Sequence, residues 1–139
     1  MRLVLDTNTA LSGLLWQGTP GKLIDAAKRR EVALFSSAPL LVELHGVMAR
    51  AKFADALTER GLSWQTLFEG YAALVQLVKP APIAPVIVRD PADDAVLACA
   101  LAAQADLIVS GDKHLLDLGG TYQGIRIVMP AEAVQLLNR

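Results

Sequence analysis

Short apolar runs alternate with longer stretches of helical periodicity along the whole chain. Residues 2–5 form the first apolar run and end at Asp6. Asn8 or Thr9 is placed to cap a short helix through Trp16, which the Gly18-Thr19-Pro20-Gly21 turn interrupts. Thr19 suits an N-cap with Pro20 at the first helical position, and the helix that follows would end on Lys28-Arg29-Arg30, cations where the helix dipole favours them. A second strand is expected over 32–35. Leu40, Leu44, Val47, Met48 and Ala51 then recur at helical spacing behind Ser36-Ser37-Ala38-Pro39. Two more helices are expected over 53–60 and 63–78, the second with Leu67, Tyr71, Leu74 and Val78 on its core face. A proline-rich loop leads to a third strand over 86–88. Asp90-Pro91 opens an Ala-rich helix, nearly apolar all round and hence deeply buried. Strands over 107–109 and 125–129, a short helix near 113–118 and a last helix from Pro130 complete the pattern.

Strands alternating with helices predict βαβ units around a parallel sheet covered on both faces. The expected fold is therefore a single α/β domain over residues 1–139, with a central, mainly parallel sheet of four or five strands flanked by helices. A hydrophobic content of 53% supplies ample core, and 19% charged residues is too few for a disordered chain. The apolar stretch from 95 to 105, bounded by Asp94 and Asp106, is far short of the roughly 20 residues that span a bilayer. Asp6 interrupts any secretory signal, so no membrane association and a cytoplasmic location are expected. The single cysteine, Cys99, excludes an internal disulfide and a cysteine zinc site. A net charge of -1 provides no broad cationic field for nucleic acid, so a phosphate ligand would have to be held locally.

Candidate chemistry lies in the acids at the ends of strands. Asp6 follows the first strand, Glu43 lies in the first turn or two of the helix after the second, Asp94 does the same after the third, and Asp112 follows the fourth. Parallel strands point one way and ligands bind beyond their carboxyl ends, which places these acids along one edge. Like charges so close repel unless a cation neutralises them. In the absence of a Cys cluster or paired His, an oxygen-rich site suits Mg²⁺ or Mn²⁺. Such ions equip a site for phosphodiester hydrolysis by activating water and stabilising the leaving oxygen.

Each acid also has a structural alternative. Asp6 could cap a helix, Glu43 could be solvated, and Asp112 after Ser110-Gly111 could belong to a turn. Asp90 suits an N-cap and Asp93 the capping-box position, whereas Leu97, Ala98 and Leu101 place Asp94 on a buried face. His45 lies about 200° around its helix from Glu43, His114 fits a surface position, and Trp16 and Trp64 fit the core. Asp106 and Asp117 fit turns or helix ends.

Leu5-Asp6-Thr7-Asn8, Leu41-Val42-Glu43-Leu44, Arg89-Asp90-Pro91-Ala92-Asp93-Asp94 and Val109-Ser110-Gly111-Asp112-Lys113, in this order, resemble PIN-domain ribonucleases. The likeness is closest to toxins of toxin–antitoxin systems, related to VapC-like toxins. It extends to the Gly18-Thr19-Pro20-Gly21 turn and the closing 125–130 segment. The resemblance implies that Asp6, Glu43, Asp94 and Asp112 are the catalytic and metal-binding acids, with Asn8 and Ser110 supporting them by hydrogen bonds. It also implies a single-stranded or structured RNA substrate and a cognate antitoxin. Ala92 and His114 depart from it, standing where relatives often carry further acids. The high apolar content adds an expected homodimer. Two other classes compete: a catalytically inactive PIN-like module receiving a basic partner segment, and an aspartyl-phosphate phosphotransferase, which would want a second Asp where Asn8 stands.

Overall fold

In the computed structural model, residues 1–16, 18–84 and 91–138 are described. The chain begins with β1 (Arg2–Leu5), α1 (Thr7–Leu15), α2 (Thr19–Lys28), β2 (Ala33–Ser36), α3 (Ala38–Met48), α4 (Ala51–Glu59), α5 (Trp64–Leu74) and β3 (Gln76–Leu77). It continues with α6 (Pro91–Ala103), β4 (Leu107–Val109), α7 (Lys113–Leu116), β5 (Thr121–Tyr122), β6 (Ile125–Val128) and α8 (Pro130–Leu137). The strand expected over 86–88 and the cap expected at Asp90 lie outside the described residues. Among those described, no helix is long and apolar enough to cross a membrane.

The sheet is six-stranded, in the order β3-β2-β1-β4-β6-β5, and every neighbouring pair is parallel except β5 and β6. The sequence pattern had implied four or five strands; two-residue strands at the two edges extend the count. The pleat sorts the core into two layers. Leu3, Leu5, Leu107 and Val109 face one side with α1, α2, α5, α8 and most of α3, while Val4, Ile108 and Ile127 face the other with α6. Val96, Leu97, Cys99, Ala100 and Ala103 bury α6 deeply, as its all-round apolar composition demands. Full burial of a side chain such as Leu97 stabilises the fold by about 1.5–3 kcal/mol.

Several local expectations give way to tertiary pairing. The helix expected over 63–78 ends at Leu74, because Val75 turns extended and Gln76 and Leu77 pair with Phe35 and Ser36 on the open side of β2. β-branched valines on both sides of this pair suit a strand as well as a helix. Asp6, rather than Asn8 or Thr9, caps α1. Gly18 precedes α2, so Thr19 and Pro20 are its first helical residues. The Lys28-Arg29-Arg30 triplet does end α2: Arg29 pairs with Glu31 at 3.0 Å and Arg30 takes the left-handed conformation at φ 61°. Trp16, expected in the core, is 63% exposed at the C-cap of α1, where the adjacent Leu15 takes the buried position. The Arg60 guanidinium lies over its ring at 5.9 Å.

From β1 the chain builds outward through β2 and β3 on one side, then crosses to build β4, β6 and β5 on the other. The carboxyl ends of β1 and β4 thus flank the switch point of the sheet, where open α/β folds bind their ligands.

Candidate metal centre

The register of the two central strands pairs Leu5 with Val109, which sets the residues that follow side by side. Asp6 N–H donates to the Val109 carbonyl at 3.2 Å. The Asp6 side chain is buried, 4% exposed, and both of its oxygens are engaged. Oδ1 accepts from Thr9 N–H at 2.8 Å and so caps α1, and Oδ2 accepts from the Ser110 hydroxyl. Ser110 is fully buried, and its Oγ in turn accepts from Asp112 N–H at 2.9 Å. One hydroxyl therefore joins the acids that follow β1 and β4. Asp112 Oδ1 accepts from His114 N–H at 2.7 Å and caps α7. Capping and site-building are not exclusive here: the helix starts hold the carboxylates in place.

The first turn of α6 approaches from the face that covers β1 and β4. His114 Nδ1 lies 3.5 Å from Asp93 Oδ2 and 3.7 Å from Asp112 Oδ1. One ligand atom from each of Asp93, Asp112 and His114 falls within 4.8 Å of the others. Two carboxylates and an imidazole fit a divalent metal ion, which oxygen and nitrogen donors bind well. The buried acid of α6 is Asp93 at 6% exposure, whereas Asp94, expected on the buried face, is half-buried. The stripe below Asp93, made of Val96, Leu97 and Ala100, is buried throughout, so a helix apolar all round carried no periodic signal for choosing between the two acids. His114 has the expected surface exposure, but its ring reaches the acids. Its spacing of two residues from Asp112 is the signal that could have found it.

Asp94 stands in the same turn of α6 as Asp93. Glu43 is half-buried on α3, which starts where β2 ends and packs against both α1 and α6. Asn8 is exposed on the first turn of α1. It lines a groove of about 450 Å³ with Thr9, Ser12, Gly111, Asp112 and Lys113. On the other side of Asp6, a small cavity is lined by Thr7, Ser36, Leu40 and Tyr71. Tyr71 is a neighbour of the site that sequence periodicity marked only as core. Burial first, then the Cys99 thiol and the Asp6 carboxylate, push its phenol above the usual range and keep it protonated. His45 turns away: its ring meets Trp64 and Phe68 edge-on at centroid distances of 5.0 Å. Asp106 lies at the opposite end of the sheet, accepting from Arg2 N–H at 2.7 Å, and Asp117 ends α7.

No curated protein and no solved structure matches the chain. A family model described as the PIN domain matches residues 2–114, a span holding Asp6, Glu43, Asp93, Asp94, Asp112 and His114. With this match over most of its length, and an α/β fold whose mainly parallel sheet brings acids together at its switch point, the chain belongs to the PIN-domain family.

Proposed function

We propose that this protein is a metal-dependent endoribonuclease acting in the cytoplasm as the toxin of a toxin–antitoxin pair. PIN domains are generally nucleases, which supports a phosphodiester hydrolase. The observation that carries the proposal is the Ser110 hydroxyl joining Asp6 to Asp112 at the switch point of the sheet, with the Asp93 carboxylate close to Asp112.

In this proposal Asp6, Glu43, Asp94 and Asp112 hold Mg²⁺ or Mn²⁺, together with Asp93, whose carboxylate lies close to Asp112. The ion, when bound, supplies Lewis-acid activation of water and neutralises charge developing on the phosphate. Ser110 fixes the Asp6 carboxylate while receiving Asp112 N–H, so the two acids keep one relative orientation. Asn8 and Ser12 offer polar side chains, and Lys113 a cation, along the groove next to Asp112. A phosphodiester adjoining the cleaved bond suits such a lining. Weak net charge elsewhere makes this local contact the main hold on RNA. A cognate antitoxin covering the acids with Arg or Lys, and a homodimer, belong to the same reading.

Cleavage of a mixed RNA pool tests it. The wild-type protein with Mg²⁺ or Mn²⁺ should cut, and Asp6→Asn should lose orders of magnitude in rate. Asparagine keeps an oxygen to cap α1 and is isosteric with aspartate, so the variant should fold, which far-ultraviolet circular dichroism checks. Cleavage that persists in EDTA, or undiminished activity of folded Asp6→Asn, overturns the assignment. A folded protein that binds the metal but cuts no RNA would instead be an interaction module.

A further inference from the structure

Within the proposed metal centre, His114 introduces a donor of a different kind. Its imidazole is half-exposed, while the Asp93 side chain facing it is only 8% exposed. The Nδ1 separations of 3.5 Å from Asp93 Oδ2 and 3.7 Å from Asp112 Oδ1 exceed a normal N–H···O bond of about 2.7–3.2 Å. They are nearer the spacing of two ligands on one ion. Donors about 2.1 Å from a shared metal stand roughly 3.0–3.4 Å apart. Closing the group around an ion therefore needs only a small inward movement of the exposed ring. Asp112 is tied by Ser110 and by its cap on α7, and Asp93 is held in a buried helical turn. Two fixed carboxylates and one adjustable imidazole thus converge.

We propose that His114 is a metal ligand, and that with Asp93 and Asp112 it gives this protein a preference for a first-row transition-metal dication over Mg²⁺. The assignment rests on the metal-dependent reading above, but concerns which ion is held and by which atom. Mg²⁺ is a hard cation that takes oxygen donors and keeps its waters, whereas imidazole binds transition metals well. Exchanging one carboxylate for a ring nitrogen in such a site moves selectivity away from Mg²⁺.

The chain has two histidines, His45 and His114, which makes the ligand assignable in untagged protein. Pulsed electron paramagnetic resonance of protein-bound Mn²⁺ reads nitrogen coupling from a coordinated imidazole. The coupling should be present in the wild type, persist in His45→Gln and vanish in His114→Asp. Because the ring is exposed, His114→Asp should fold, which far-ultraviolet circular dichroism checks. Competition by Mg²⁺ against bound Mn²⁺ should become at least roughly tenfold more effective in His114→Asp, a change as large as losing an outer-shell partner of a metal ligand commonly causes. Mn²⁺ bound without imidazole coupling overturns the role of His114 and leaves the carboxylate site standing. Absence of Mn²⁺ binding altogether overturns both.

Discussion

Ser110 does at a single position what the site requires of several residues. Its hydroxyl donates to Asp6 Oδ2 and accepts from Asp112 N–H in a fully buried setting, so removing it leaves two polar groups short of a partner. Ser110→Ala should cost on the order of 1–3 kcal/mol of stability, read as a lower urea midpoint, and under the proposed function it should slow RNA cleavage by loosening both carboxylates. A midpoint equal to wild type would mean that the hydroxyl holds neither acid. The places of Asp6, Ser110 and Asp112 just beyond the ends of apolar strands were legible in the sequence. The grouping of Asp93 and His114 with Asp112 was not, because the facing of α6 and the reach of a surface ring depend on neighbours remote in the chain.

Helix positions fix where these residues stand. α1 starts at the cap on Asp6 and crosses α2 closely at Gly13, where an added Cβ would lie 2.7 Å from Ile24 Cδ1 and 3.2 Å from the Pro20 backbone. The Ile24 terminus can rotate, but the Pro20 backbone at the start of α2 cannot move without shifting that helix. Gly13→Ala gains up to about 1 kcal/mol of helix propensity, and the overpacking costs typically about 1–3 kcal/mol. Net destabilisation is therefore expected, and thermal melting of the variant checks it. The same element scale explains β3. A run such as Val75-Gln76-Leu77-Val78 follows either period, and the open edge of β2 decides for the strand.

Across the whole molecule, burial makes folding sensitive to alkali. Burial raises the Cys99 thiol from its ordinary value of 9.0 to about 11, and raises the Tyr71 phenol as well. Above pH 9 the unfolded chain releases the thiol proton while the native chain keeps it, so the native state holds more protons and stability falls as pH rises. The contribution is complete below pH 9 and lost by about pH 11. Urea midpoints measured over this range should decline more steeply for wild type than for Cys99→Ala, with Tyr71 adding to the decline in both. Parallel declines would remove the thiol from the account. Taken alone, the sequence determined the alternation of strands and helices, the parallel α/β class and the acids at strand ends, because periodicity and helix breakers act within a few residues. Strand order, the pairing of β3, the burial of Asp93 over Asp94 and the meeting of Asp6 with Ser110 were decided only by tertiary structure. Each depends on which distant segments share a hydrogen-bonded edge or a packed face, and local pattern carries no record of that choice.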